Sequence, residues 1–343
     1  PCPMLIGKWF VGRAVLNRMD SMSSVATTTD VPLYSETRHH DYPWWAPRFW
    51  HGMRLPAWLK LLARNRFSVS PSRAFLAASI TNAATLNMFA SVFDRLLMSH
   101  RVQATKLAEP PLFVLGHWRS GTPLLHELLI LDPRHTYPNT YECFSPSHFL
   151  WTEWFVPPLM RWLLPGKRPM DNMPAGWERP QEDEFALCNL GIPSPYLAWA
   201  FPNHGTVNDD YLDLVSLSAR DRDRWKAALE SFVKRVAALR NKRIILKSPT
   251  HTARVRTLLE VFPDARFVHI VRDPLVLFPS TIRLWTTLSQ VQGLQAVDGR
   301  IPWVEGHVLD TFVRMYERFE QDRDLIPPGR LAEIHYEQLA ADP

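Results

Sequence analysis

Cysteine is scarce: Cys2, Cys143 and Cys188 are the only three in 343 residues, and they stand far apart. An odd, widely spaced set excludes a disulfide framework and offers no metal-ligand spacing, so the thiols are expected to be buried and free. Internal repeats and low-complexity runs are absent. So is any long Lys/Arg run. With 39 basic and 34 acidic residues, the net charge of +5 favours an anionic small ligand or a membrane surface over a broad nucleic-acid footprint. Long uninterrupted apolar stretches are missing too. The nearest, Ala74 to Phe93, carries no charge, but Ser79, Thr81, Asn82, Thr85, Asn87 and Ser91 make it poor for a bilayer span. It reads as a buried or surface-lying helix. What remains, 46% hydrophobic and 21% charged, is a globular chain able to bury one large core, with or without an appended subdomain.

The N-terminal third is irregular. Met4 to Val15 is apolar and basic, Ser21 to Thr29 is a Ser/Thr-rich linker, and Tyr42 to Leu62 concentrates aromatics, prolines and cations. Trp44, Trp45, Phe49, Trp50 and Trp58, beside Arg48, Arg54 and Lys60, suit either a lipid headgroup layer or packing on the main domain or across a dimer. These features set a boundary near residue 108: a helical, aromatic-rich arm over residues 1–108, then an α/β domain over 109–343.

In that second part, strands at Leu112 to Leu115, Arg243 to Leu246, Phe267 to Val271 and Leu331 to Tyr336 alternate with helices. Those helices are expected at Thr122 to Leu131, Asp223 to Leu239, Thr252 to Val261, past Pro274, and near Trp303 to Phe319. Short apolar strands separated by helices predict a parallel sheet flanked by helices on both faces, with ligands at the carboxyl ends of the strands.

Two such ends carry anion-binding patterns. Leu112 to Leu131 reads LFVLGHWRSGTPLLHELLIL: strand, tight turn, helix start. Free backbone N–H groups at a helix N-terminus then converge on one point with the helix dipole behind them. Gly116 and Gly121 have the spacing of a nucleotide-triphosphatase phosphate loop, but Thr122-Pro123 replaces the Lys-Ser/Thr of that motif. The basic residue sits inside the loop instead, as Arg119, which suits a single terminal phosphate. The second pattern is Arg266 to Ser280, RFVHIVRDPLVLFPS, with Arg272 at the strand end and Ser280 two turns into the next helix.

Together, Arg119-Ser120-Gly121-Thr122 and Arg272/Ser280 make the chain, over Pro111 to Pro343, resemble the sulfotransferases that use 3′-phosphoadenosine 5′-phosphosulfate (PAPS). The resemblance implies the P-loop NTPase-like sulfotransferase fold and PAPS as co-substrate, with no metal required. It implies that Arg119, Ser120, Gly121 and Thr122 hold the 5′-phosphate, and that Arg272 and Ser280 hold the 3′-phosphate. Lys247, at a strand end, is implied to contact the bridging oxygen or sulfuryl group. Three groups stand as the general base, in the order Glu142, His251 and Glu184 of the acidic run Gln181-Glu182-Asp183-Glu184. Asp273 is expected to cap the helix that begins at Pro274.

An acceptor hydroxyl, or less favourably an amine, would lie among aromatics such as Phe144, Phe149, Trp151, Trp154 and Phe155, and farther on Trp177, Tyr196, Trp199 and Phe201. The same rings equally suit core packing. A small-molecule, lipid or carbohydrate acceptor fits, whereas nucleic acid does not. A homodimer and peripheral membrane contact of a cytoplasmic protein both stay open. Two departures bear on activity. Pro123 removes one N–H and one hydroxyl from the cradle, and Leu331 to Pro343 resembles the family's late strand without the terminal helix and loop that usually follow. The rival readings are a P-loop kinase or nucleotide hydrolase, and a non-catalytic membrane-associated protein on the same fold.

Overall fold

The computed structural model describes residues 42–43, 45–163 and 176–342. The expectations for Met4 to Val15, Ser21 to Thr29 and Trp44 fall outside them. In chain order the elements are α1 (Leu55–Arg64), α2 (Ala74–Ala104), β1 (Leu112–Leu115), α3 (Thr122–Leu129), β2 (His135–Thr136) and α4 (Thr140–Phe144). Then come α5 (Phe149–Thr152), α6 (Val156–Leu159), α7 (Asp183–Asn189), α8 (Ala219–Leu239), β3 (Arg243–Lys247) and α9 (Val255–Val261). The described part ends with β4 (Arg266–Val271), α10 (Pro274–Gln292), α11 (Val304–Asp322), β5 (Leu331–His335) and α12 (Tyr336–Ala341).

The five strands form one sheet in the order β2-β3-β1-β4-β5, and every pairing is parallel. β1 is central and buried along its whole length. Its alternate residues serve two layers, as strand geometry requires. Leu112 and Val114 join Leu125, Ile245 and Ile270 in a small cluster against α3 and α12, while Phe113 and Leu115 enter the main core. Register places Phe113 opposite both Leu246 and Phe267, and Leu115 opposite His269. The carboxyl ends of β3, β1 and β4 are therefore side by side, roughly 5 Å from strand to strand.

The main core extends into the arm. Trp50 and Trp58 are fully buried, and their indole N–H groups donate to Gln292 O at 2.9 Å and Thr81 Oγ1 at 2.9 Å. Phe49 packs on Phe185. Of the two readings open for these aromatics, the structure selects packing for Phe49, Trp50 and Trp58, while Trp45 is exposed.

Several boundaries differ from expectation: the helix expected to reach Leu131 ends at Leu129, the one expected from Asp223 begins at Ala219, and the strand expected to reach Tyr336 ends at His335. The stretch read as a helix over Ala74 to Phe93 continues to Ala104, and it lies on the surface with only part of one face buried. The helix expected from Thr252 begins at Val255, because Pro249–Ala253 forms a 3-10 turn first. β2, only two residues long, carries no periodicity in the sequence.

Side chains on α2 should split by face in a thermal or urea unfolding series. Ile80→Ala, at a site with no exposure, should cost about 2–5 kcal/mol. Phe89→Ala, 56% exposed, should change stability by no more than about 0.5 kcal/mol.

Candidate active site

The loop between β1 and α3 has a backbone that only particular residues can adopt. Gly116 has φ +148°, and a Cβ there would lie 2.6 Å from Ser120 Oγ and 2.9 Å from Ile270 O. Gly121 has φ +101°, and its Cβ would fall 2.3 Å from the Tyr336 ring. Both are left-handed positions that glycine tolerates without penalty. Arg119 also adopts positive φ, +69°, which for a residue with a Cβ is a local strain of the kind found at functional loops. The turn closes on itself: Ser120 N and Oγ both donate to His117 O, at 3.1 and 2.7 Å. The Gly116 N–H donates to Thr252 Oγ1 at 2.8 Å, which ties the loop to the segment after β3. α3 then starts at Thr122 with Pro123 in its first turn and no side-chain cap. A helix start of this kind, with orphan N–H groups and glycines where a Cβ would intrude, is built for an anion.

The second motif meets the first. The Arg119 Nε–H donates to Ser280 Oγ at 2.9 Å, and Arg272 donates to Arg119 O at 2.9 Å. The Arg272 guanidinium lies 4.1 Å over the Tyr336 ring, a cation–π contact that fixes its direction. Asp273 caps α10 by accepting from Leu275 N at 2.9 Å. Residues 119–122 and Arg272/Ser280, far apart in sequence, thus share one face of the sheet.

The third strand end supplies Lys247, whose Nζ donates to Glu182 Oε1 at 2.8 Å. Glu182 Oε2 accepts from the Tyr196 hydroxyl at 2.7 Å, and that hydroxyl accepts from Trp118 Nε1 at 3.1 Å. Lys247 is therefore linked through Glu182 and Tyr196 to the phosphate-type loop itself. Burial and the neighbouring Glu182 push the Tyr196 phenol well above its ordinary range, so it stays a neutral donor.

The acidic run on α7 is fully used, and each acid takes a different partner. Glu182 takes Lys247. Asp183 takes His251, with Nε2 to Oδ2 at 2.7 Å, and accepts from Ser248 Oγ at 3.0 Å. Glu184 accepts from Arg254, Ser194 Oγ at 2.6 Å and Thr250 Oγ1 at 3.1 Å. Burial works against charge on Asp183 and Glu184, but His251 and Ser248 for the first, and Arg254 and Ser194 for the second, hold both below the usual carboxylate range.

These contacts redistribute the expected bases. His251 has no exposure, packs edge-on against Phe113 and Trp225, and is oriented by Asp183. Glu184 is enclosed by its donors. Glu142 is enclosed as well: Oε2 accepts from Asn139 N at 2.8 Å in a capping box that starts α4, and Oε1 pairs with Arg240. Arg240 ends α8 at the amino-end side of β3, the side opposite Lys247. None of Glu142, His251 and Glu184 offers a carboxylate or imidazole to an acceptor beside Lys247. Glu182 lies beside Lys247 and is partly exposed, whereas Asp183 and Glu184 are buried. Sequence reasoning ranked other groups ahead of it. The available signal was Lys247 itself, since a strand-end lysine entering a buried layer needs a counter-charge.

The aromatic segment also sorts itself. Phe149, Tyr196, Trp199 and Phe201 are core, Phe144, Trp151, Phe155 and Trp177 are half-buried, and Trp154 is exposed.

Comparison with known proteins bears on the whole chain. The model of the Sulfotransferase family matches residues 110–343. The omega-hydroxy-beta-dihydromenaquinone-9 sulfotransferase Stf3 of Mycobacterium bovis is 45% identical over 313 residues, covering 91% of this chain and 79% of that protein. The protein of the same name from Mycobacterium tuberculosis matches to the same extent. Among solved structures, sulfotransferase STF9 from Mycobacterium avium has a TM-score of 0.63 at 21% identity, over 84% of this chain and 75% of its own. Sulfotransferase STF1 from Mycobacterium tuberculosis H37Rv has a TM-score of 0.55 at 18% identity, over 96% and 86%. These two structures establish the parallel-sheet sulfotransferase fold.

Burial raises the Glu142 carboxyl to about 7 despite Arg240. A carboxyl raised in the folded state stabilises most below its unfolded value of about 4.3 and loses that contribution as pH climbs toward 7. Glu142→Gln, which cannot ionise, should flatten this fall in urea-unfolding free energy between those pH values while retaining transferase activity. An activity loss of about 100-fold or more would restore Glu142 as the base.

Proposed function

Since the chain belongs to the sulfotransferase family and is an enzyme of that class, we propose that it moves a sulfuryl group from PAPS to a hydroxyl of a lipid acceptor. The observation that carries the donor assignment is the meeting of Arg119 with Ser280 and Arg272 at the adjacent ends of β1 and β4. The residues present fit such a donor: a cradle that a Cβ would fill at Gly116 and Gly121, an uncapped helix start, and two arginines. Residues 109–343 carry all of these groups.

When bound, the donor supplies a sulfuryl group already activated on a phosphate leaving group. In our assignment Arg119, Ser120, Gly121 and Thr122 hold the 5′-phosphate, while Arg272 and Ser280 hold the 3′-phosphate. Lys247 answers the charge that grows on the bridging oxygen, in a pocket where its ammonium is poorly hydrated and its field correspondingly strong. Glu182 takes the proton of the acceptor hydroxyl. Its tie to Lys247 couples the two tasks, because each group holds the other in place before substrate arrives.

The acceptor class is supported by the relative that is 45% identical, whose name specifies a hydroxylated menaquinone. The half-buried rings of Phe144, Trp151 and Phe155 suit an apolar body better than a charged one. A kinase reading fails on one residue: Thr122 follows Gly121 where that motif requires lysine.

Calorimetry with 3′-phosphoadenosine 5′-phosphate should show Arg119→Ala and Arg272→Ala each weakening binding by about 10- to 100-fold, the worth of a charge-assisted contact. Unchanged affinity in both removes the donor assignment. Glu182→Gln should lower kcat by about 100-fold or more with that affinity retained. If kcat holds, Glu182 serves only to position Lys247.

A further inference from the structure

α2 is built inside out. Its polar side chains point at the protein: Trp58 Nε1 donates to Thr81 Oγ1, Asn87 Nδ2 donates to His51 O at 2.7 Å and Met53 O at 3.1 Å, and Asp94 pairs with Arg235 at 2.7 Å. Thr85 and Ser91 return their hydroxyls to the helix backbone, at 2.8 Å to Thr81 O and 2.7 Å to Met88 O. Beyond Ala84, a row of apolar side chains points away from it. Leu86, Phe89, Phe93, Leu96 and Leu97 are each more than half exposed, at the three- and four-residue spacing of one helical face. Of the polar residues that lower the mean hydropathy of this stretch, Thr81 and Asn87 are turned inward, Thr85 and Ser91 are satisfied by the helix itself, and Asn82 is exposed.

The stripe continues beyond α2. Trp151 donates to Ala90 O at 3.2 Å and its ring lies 6.2 Å from Phe93, so the segment from α5 onward borders the same surface. That segment presents Trp154 at 78% and Trp162 at 71% exposure. Exposed indoles beside an apolar helical face are the composition of a membrane–water boundary.

Charge selects among possible occupants. Residues 42–107 contain nine Lys/Arg and one acid, Asp94, a local excess of +8 that exceeds the +5 of the whole chain. Asp94 is itself buried against Arg235. Arg95 and Arg101 are exposed on α2 itself, Lys60, Arg64 and Arg66 are exposed on or just after the neighbouring α1, and no acid of this segment offsets them. A second copy of this surface would bring like charges together, whereas an anionic lipid layer complements it.

We propose that the outward face of α2, with the tryptophans after α5, lies on the surface of an anionic bilayer. The helix rests in the plane of that surface and does not cross it, because Leu76, Ile80, Ala84 and Asp94 hold its inner face to the core. This inference uses no step of the transfer reaction, so it can fail while the donor assignment stands, and the reverse.

Flotation of the full chain with vesicles is the test. Wild type should float with mixed phosphatidylcholine–phosphatidylglycerol vesicles, less with phosphatidylcholine alone, and less as salt rises. The variant F89S/F93S/L97S should reduce the vesicle-bound fraction by about tenfold or more, with thermal stability and affinity for 3′-phosphoadenosine 5′-phosphate unchanged. Failure of wild type to float, or equal flotation of the variant, overturns the proposal. So does sedimentation showing a wild-type dimer that the variant dissolves, with vesicles bound by neither.

Discussion

Three parallel strands ending side by side govern what this molecule can do. β3, β1 and β4 are immediate neighbours, and each is followed directly by a cation: Lys247, then Arg119 within a short loop, then Arg272. Cations held this close repel one another, and a fold tolerates that only if counter-charge or ligand is supplied. Glu182 pairs with Lys247, Arg119 donates to the Ser280 hydroxyl, and Arg272 donates to the Arg119 carbonyl and lies over the Tyr336 ring. The β3 end thus shows an acid–base pair, and the β1 and β4 ends a meeting of two arginines.

α7 makes this asymmetry rigid. Asp183 and Glu184 are clamped by His251, Arg254, Ser248 and Thr250, all in the segment that follows β3. Both carboxylates keep their charge in a dry interior because donors surround them, and losing one partner would leave the other unpaired at a cost of about 3–5 kcal/mol. The helix start is thus fastened to the strand end that carries Lys247, and Glu182, its N-cap, has little freedom to leave that lysine. Buried pairs thus decide where Glu182 stands.

This division of labour explains what could be read from sequence. Gly116, Gly121 and Arg119 were legible because a strand-turn-helix pattern states its backbone needs locally, and Lys247 and Arg272 because strand ends are easy to find. Which acid meets which base was not legible. Glu182 and Lys247 are 65 residues apart, Glu142 and Arg240 are 98 apart, and four adjacent polar letters, Gln181 to Glu184, carry no mark of which one faces outward. Only packing separates a capping glutamate from a reactive one. α2 misleads for a related reason: its composition is intermediate, while its exposed side carries a row of large apolar residues and Thr81, Asn87 and Asp94 turn inward, and averaging along the chain erases the difference.

Pro123 tests how much a cradle of this kind can lose. Proline at the second position of α3 removes one of the four N–H groups that a helix start leaves without partners, and its fixed φ suits that position. The helix is not disturbed, since Leu125 N still reaches Gly121 O at 3.1 Å. What is lost is one weak neutral donor and the hydroxyl that a second threonine would bring. A neutral hydrogen bond contributes about 0.5–1.5 kcal/mol and one to a charged group about 1.5–3 kcal/mol, so under the proposed assignment two arginines outweigh the missing donors. On this arithmetic Pro123 is compatible with donor binding, and the stability of the loop falls to its glycines and to Ser120, which no residue in the cradle duplicates.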